Sequence, residues 1–315
     1  MYLNKSIAVV VPAYNEERLI EKTLVSIPAF VDQIIVIDDA STDQTLDIVK
    51  RLMVNDDRIT LIEHPTNQGV GGAIISGYKK SIEMNMDVTA VMAGDAQMDP
   101  GDLVSIIEPV CREQVEYAKG NRLFAGEAWK MIPKVRYIGN AFLSLLTKVA
   151  SGYWHIADSQ CGYTAISINA LRRIPLDDIH KRYGTPNDLL IKLNIEHIKV
   201  RDVQVKPIYN MGEESGIRIW KDGPFIALLL LRGFFKRLTN KYIIKDFHPL
   251  VFFYFLGLTL APTGTLLGCY LLILRIKGVG IAVTSALFAS FLFISGLQSL
   301  FFAMWFDMEY NKDLK

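Results

Sequence analysis

Residues 91–100, VMAGDAQMDP, decide how this chain is read. An apolar run over 88–92 stops abruptly at a glycine, a carboxylate, a side-chain amide, a second carboxylate and a proline. A buried strand reads this way where it surfaces at a sheet edge and passes the chain to a helix starting near Pro100. Asp95 and Gln97 stand two apart, so in an extended segment both side chains leave one face and converge on a hard cation through oxygen. The simpler use of Asp95 and Asp99 is to cap the helix that follows.

The same grammar recurs upstream. Residues 7–13 (IAVVVPA) are a β-branched run, followed by Leu19, Ile20, Leu24 and Ile27 at helical spacing. Residues 34–37 end in Asp38-Asp39, and Ser41, Thr42 and Asp43 offer N-caps for a helix through Leu46, Ile48, Val49 and Leu52. A third strand over 59–62 precedes a loop over 64–72 and a helix to about Met84. Four strand-then-helix units in a row predict an α/β fold, a mostly parallel sheet with helices on both faces. Ligands of such sheets bind beyond the carboxyl ends of the strands. YNEE, DDASTD, HPTNQG and GDAQMD all fall there, and four coincidences on one rim argue for a site.

Downstream, 117–122 reads as a strand with GNR at its tip and 132–149 as an amphipathic helix. The polar patch ADSQCGY (157–163) leads into a strand TAISI, a helix over 187–195 and a strand over 198–205. Residues 212–216 read as a loop, with Arg218 and Lys221 just beyond, and 1–220 is taken as one domain. His155 and His180 lack partners at metal-ligand spacing and are read as structural.

The net charge of +1 on 315 residues gives no reason to expect nucleic acid. Half of the residues are hydrophobic, an excess concentrated in the last quarter. Cys111, Cys161 and Cys269 lack any CxxC, so neither a disulfide framework nor a zinc site is expected, and a reducing, cytoplasm-facing catalytic part is. The apolar run at 7–11 is too short for a signal peptide.

Residues 221–248 change character. An apolar stretch at 225–231 with Phe234 and Phe235 is accompanied by Arg232, Lys236, Arg237, Lys241 and Lys245. That composition predicts a basic amphipathic helix at a membrane surface, its cations towards lipid phosphates. Within 249–315, uncharged runs at 250–274 and 279–305 are each long enough to cross roughly 30 Å of hydrocarbon, and the short RIKG link makes them a hairpin with a short tail. The five preceding cations outnumber Arg275 and Lys277 in the turn, which predicts an integral membrane protein with its catalytic domain and tail in the cytoplasm. Gly257, Gly264 and Gly268 permit close helix packing, within one chain or in a homo-oligomer.

Six motifs in order, VPAYNEE (11–17), IDDASTD (37–43), NQGVGGA (67–73), GDAQMDP (94–100), GNR (120–122) and DSQCGYTA (158–165), give a resemblance to the family 2 glycosyltransferases of GT-A, Rossmann-like fold. Within them the chain looks most like the polyprenyl-phosphate or dolichyl-phosphate hexosyltransferases, over residues 5 to about 220, and some of these also carry a two-span tail. The resemblance implies an inverting transfer of a hexose from a nucleotide sugar, of the UDP-glucose or GDP-mannose type, to a polyprenyl phosphate at the cytoplasmic leaflet. It places Pro12, Ala13, Tyr14, Glu16, Ile37, Asp39, Gly94 and Asp95 at the nucleotide, Asp95 and Gln97 at Mg²⁺ or Mn²⁺, and Asp158 with Asp95 at the chemistry. Arg122, Ser159 and Arg218 fall to the acceptor phosphate. Ala93 departs from the family's D-x-D pattern, so the metal would lean more on the diphosphate and water. Asn210 and Met211 replace the usual arginine before the Gly212-Glu-Glu-Ser-Gly segment. Two alternatives stay open: a glycolipid, polysaccharide or protein acceptor, and a non-catalytic nucleotide-binding membrane partner.

Overall fold

The fold follows from the first strand, β1 (Ile7–Ala13), in which every residue is buried. Ile7, Val9 and Val11 enter one apolar cluster, whereas Ala8 and Val10 enter the other. A strand whose alternate side chains feed two cores must be covered on both faces, which is why β1 shows no polar alternation. The computed structural model describes residues 1–123, 134–206, 208 and 219–315.

In chain order α1 (Ile20–Ser26), β2 (Gln33–Asp38), α2 (Thr45–Met53), β3 (Ile59–Glu63), α3 (Val70–Glu83) and β4 (Val88–Val91) follow β1. A 3₁₀ turn at Pro100–Asp102 leads into α4 (Leu103–Cys111), then β5 (Tyr117–Asn121), α5 (Lys134–Ser151), β6 (Thr164–Ser167), α6 (Ile168–Arg173), α7 (Thr185–Ile195), β7 (Val200–Gln204) and α8 (Ile219–Arg237). The seven strands form one sheet in the order β3-β2-β1-β4-β6-β5-β7. Every pairing is parallel except those of β6, which runs antiparallel to both β4 and β5. The expected mostly parallel sheet is therefore present. Because β6 runs backwards, residues 157–163 before it stay at the carboxyl-end rim of β4 and β5, where their side chains can meet those of the first half.

The chain divides into two compact units, Met1–Phe234 with Leu314–Lys315, and Phe235–Asp313. The division at Phe234 cuts through the 221–248 segment that composition marks off. In the first unit the Leu314 carbonyl accepts from Val200 N at 2.9 Å, so the last two residues return to β7. One stripe of α8, Ile226, Leu230 and Phe234, is buried, while Phe225, Leu228 and Leu231 remain exposed.

The second unit contains α9 (Leu250–Ile276) and α10 (Val283–Tyr310), both long and apolar enough to cross a membrane. α10 begins four residues later than the 279 expected from the apolar run. Only 28% and 22% of their most apolar windows are buried. A core helix of a soluble protein would be mostly covered, so this exposure is consistent with membrane association. The helices pack through small residues: a Cβ on Gly264 would lie 2.5 Å from Phe293 N, and one on Gly296 would lie 2.3 Å from Ala261 N. Gly257 faces Leu300 in the same seam, while a Cβ on Gly268 would meet nothing within 4 Å. Gly257 and Gly264 thus serve packing within the chain.

The five cations of 232–245 do not all face outward as composition suggests. Arg237 and Lys241 are fully buried. Arg237 forks onto Asp307, with Nη1 2.7 Å from Oδ1 and Nη2 3.0 Å from Oδ2, and Lys241 Nζ donates to Asn311 Oδ1 at 2.7 Å. Tyr242 bridges the same group through its hydroxyl, which contacts Asp307 and accepts from Asn311. Their partners lie about one span further on in sequence, invisible to any local window.

Candidate active site

The strand order reverses direction between β1 and β4, and at such a switch point an open α/β sheet leaves a crevice. The loops after β1, β2 and β4 close around it. Asp39 N donates to Ala13 O at 2.9 Å, Gly94 N to Pro12 O at 3.1 Å, and Thr42 N to Asn15 Oδ1 at 2.8 Å. Each loop holds one non-glycine residue in the left-handed region, namely Asn15 at φ 57°, Ala40 at φ 62° and Ala96 at φ 55°. For alanine that conformation costs about 1 kcal/mol, and such strain gathers where geometry serves a function.

Pro12, Ala13, Tyr14, Asp39 and Gly94 thus share one rim. Tyr14 is 47% exposed and offers an open ring. Ile37 is fully buried in the core beneath, so its side chain takes no part at the surface. Asp39 is also buried, and its carboxylate accepts from Gln68 N at 2.9 Å and Gly69 N at 2.8 Å while facing His64 Nδ1 at 2.7 Å. It anchors the loop ahead of α3. Its neighbour Asp38 accepts from Ser41 N through Oδ2, and its buried Oδ1 takes no hydrogen bond among the described residues.

The segment carrying Asp95 and Gln97 is not extended. With Ala96 left-handed, the chain turns, and Asp95 Oδ1 accepts from Gln97 N at 3.0 Å. Asp and Asn bond the backbone two residues on in this way, a local competition that spacing alone does not reveal. Asp99, by contrast, does cap: its Oδ1 accepts from Gly101 N at 2.8 Å. Asp95 and Gln97 still line one cleft together with Arg122, Tyr163 and Lys206. Across the switch point, burial and the charges of Asp95 and Asp43 push the Glu16 carboxyl up to about 7. Crowded carboxylates with oxygen-only donors suit a hard divalent cation. No trio of His, Cys, Asp or Glu at metal-binding geometry occurs among the described residues, so such an ion would take most of its ligands from elsewhere.

Asp158 lies on the same rim, fully buried. Its Oδ2 accepts from Arg122 Nε at 2.8 Å and from Arg122 N at 3.2 Å, and its Oδ1 accepts from Arg122 Nη2 at 3.2 Å and Gln160 N at 3.1 Å. Burial by itself would raise this carboxyl, but the Arg122 guanidinium, its hydrogen bond and Lys119 together hold it below the usual carboxylate range. Lys119 is itself fully buried and donates to Cys161 O. Ser159 is buried in a polar layer, bonded to Ser144 Oγ at 3.2 Å and Gln160 Nε2 at 2.7 Å. Arg218 lies outside the described residues. Lys206, a cleft cation that the sequence reading passes over, is 77% exposed and 3.8 Å from Asp99. Its only sequence signal is a lone lysine after an alternating strand.

This geometry, a switch-point crevice with an acidic turn after β4 and a buried carboxylate on the backward strand's lead-in, is that of a doubly wound α/β enzyme. The chain belongs to glycosyl transferase family 2, whose sequence model matches residues 8–174. It is 33% identical over 219 residues to a UDP-N-acetylglucosamine–dolichyl-phosphate N-acetylglucosaminyltransferase of Methanococcus voltae, covering 65% of this chain and 87% of that protein. An undecaprenyl-phosphate mannosyltransferase of Micrococcus luteus is 29% identical, covering 58% of this chain and 75% of its own. Among solved structures, glucosyl-3-phosphoglycerate synthase of Mycobacterium tuberculosis in complex with Mn²⁺, UDP and glucosyl-3-phosphoglycerate superposes with a TM-score of 0.54 at 20% identity, over 74% of this chain and 80% of that one. That likeness establishes the GT-A-type fold.

Proposed function

We propose that this glycosyltransferase moves a sugar from a nucleotide sugar to the phosphate of a polyprenyl lipid, with inversion, at the cytoplasmic face of a membrane. The observation that carries the reading is the Arg122–Asp158 pair. A hydroxyl acceptor needs a general base, and a buried carboxylate held below its ordinary range by an arginine is a poor one. A lipid phosphate is already an anion near neutral pH, its second pKa being about 6, and needs none. The names of the Methanococcus and Micrococcus relatives, which specify dolichyl phosphate and undecaprenyl phosphate, support the same acceptor class.

In the transfer a phosphate oxygen of the acceptor forms a bond to the anomeric carbon while the bond to the donor's diphosphate breaks and the nucleoside diphosphate leaves. Tyr14 and the loops ending β1 and β2 cradle the base and ribose, with Asp39 acting through the 64–69 loop that it anchors. Asp95 and Gln97 would hold Mg²⁺ or Mn²⁺, which when bound offsets charge on the departing diphosphate. Asp158 and Arg122 fix sugar and acceptor as a unit, and Lys206 draws the acceptor phosphate into the cleft. α9 and α10 span the bilayer, and the exposed stripe of α8 with Arg232, Lys236 and Lys245 meets its cytoplasmic surface.

The donor extends beyond glucose and mannose in this reading, because the relatives' names include an N-acetylglucosaminyl donor. The test incubates the full-length protein in detergent with a panel of UDP- and GDP-sugars, Mn²⁺, and either polyprenyl phosphate or the unphosphorylated polyprenol. Lipid-linked sugar from the phosphate alone is expected. Equal transfer to the alcohol, or none to either lipid with turnover on a polysaccharide or protein, overturns the acceptor assignment.

A further inference from the structure

Beneath the rim, β5 and β7 pair in parallel with Lys119 opposite Asp202, and Asn121 follows two residues after Lys119 on the same face. Asp202 Oδ2 accepts two hydrogen bonds, from Ala157 N at 2.7 Å and from Asn121 Nδ2 at 3.0 Å. Asn121 in turn accepts from Leu123 N through Oδ1 at 3.0 Å. The residues so held, Asn121 and Ala157, are the immediate chain neighbours of Arg122 and Asp158. One oxygen therefore fixes the separation of the two backbones that present the ion pair. The other oxygen, Oδ1, is shut off from solvent and has no hydrogen-bond partner among the described residues.

We propose that Asp202 is a positioning residue for the transfer site, a clamp that sets the Arg122–Asp158 geometry by holding Ala157 N and Asn121 Nδ2 on a single carboxylate oxygen. This rests on the proposed transfer for its kinetic consequence, though not for the clamp itself. An oxygen that accepts two bonds beside an oxygen that accepts none is a requirement for an acceptor, not for a charge. Burial, opposed by the Ala157 amide and by Lys119 and reinforced by Asp158, pushes the Asp202 carboxyl up to about 6, in keeping with a group that loses little as a neutral isostere. The facing charged groups are Lys119 on β5, Asp158 on the loop and Lys148 on α5. Asp202 is not among the residues that line the cleft, whereas Arg122 is, so its influence passes through Asp158 and Arg122.

The full-length protein in detergent provides two readouts, kinetics of sugar transfer and amide hydrogen exchange of the substrate-free protein. Asp202→Val removes the acceptor at similar volume and is expected to lower kcat about 10- to 100-fold with donor KM within about twofold, since an unmade internal hydrogen bond costs roughly 1–3 kcal/mol. It should also speed exchange over 157–160 and 121–123. Asp202→Asn keeps an acceptor oxygen and should restore kcat to within about threefold of wild type with slow exchange. If Asp202→Val does not fold, Asn121→Ala takes its place, with kcat lowered about 3- to 10-fold at unchanged donor KM. A loss in Asp202→Asn as large as in Asp202→Val, a donor KM that rises in step with the fall in kcat, or unchanged exchange in the variants lacking the acceptor or the donor overturns the proposal. Should wild type transfer nothing to polyprenyl phosphate, the acceptor reading fails while the exchange comparison still decides the clamp.

Discussion

Arg122 and Asp158 meet side-on as a two-point ion pair, Nε to Oδ2 at 2.8 Å and Nη2 to Oδ1 at 3.2 Å, with the carboxylate enclosed and the guanidinium edge at the cleft. Asp158 is thereby an anion at any pH the cell reaches. As its carboxyl is depressed in the fold, the pair contributes stability above the unfolded value of about 3.9 that is lost only as pH falls through the lower folded value.

Asp158→Asn keeps the shape but removes the charge, and kcat should fall about 100-fold with donor KM nearly unchanged. Arg122→Met removes most of what opposes burial, leaving Lys119, so the Asp158 carboxyl rises. The acid limb of the kcat profile should then move to higher pH, and the protein should lose about 3 kcal/mol by denaturant titration. An unmoved acid limb would mean that Arg122 does not set the ionisation of Asp158.

Glu16 carries the opposite sign. Its carboxyl is raised from 4.5 to about 7, chiefly by burial and then by Asp95 and Asp43, so the folded state holds a proton that the unfolded chain releases. Without divalent cation, stability should decline as pH rises through that interval and level off above it. Asp95→Asn should make the slope shallower without removing it, because burial remains, while abolishing transfer, and Mn²⁺ with a nucleoside diphosphate should make it shallower in wild type. Thermal melts across pH in chelator and in Mn²⁺ read both effects.

Lys206 is a solvated point charge at the cleft. Lys206→Ala should raise the KM for polyprenyl phosphate about threefold to tenfold, leave the donor KM alone, and weaken the salt dependence of the acceptor KM. Steady-state kinetics at two ionic strengths check this.

In the second unit, Asp307→Leu strands the buried Arg237 guanidinium and should cost about 3–5 kcal/mol, read as a lowered melting temperature in detergent. Arg237→Met combined with Asp307→Leu should recover most of the loss, because well-packed apolar side chains replace such a pair at little cost. A double variant as unstable as the single one would show that Tyr242 and Asn311 depend on the charge.

The rim was legible in the sequence because each of the first four strands is an apolar run that ends in a polar cluster, and the two spans because their length admits few other uses. Other features left no local trace. TAIS reads the same whether a strand runs forward or back, so the antiparallel β6 and the placement of Asp158 beside Arg122 had to come from the structure. Alanine advertises nothing about a left-handed backbone, so the two-residue spacing of Asp95 and Gln97 reads as extended chain where the structure turns at Ala96. Asp202 in VRDVQV looks like the wet side of an edge strand. Arg237 and Lys241 looked lipid-facing because Asp307 and Asn311, each 70 residues further on, lie beyond any helical window.

That last separation has a consequence for how the protein is made. At roughly 5–20 residues per second, a ribosome needs roughly 4–14 s to travel from Arg237 to Asp307. Throughout that interval the nascent chain carries a cation whose counter-ion has not yet been translated. Completion of the second span is what supplies that counter-ion, so a polypeptide stopped before residue 307 keeps the arginine without the carboxylate that holds it in the finished protein.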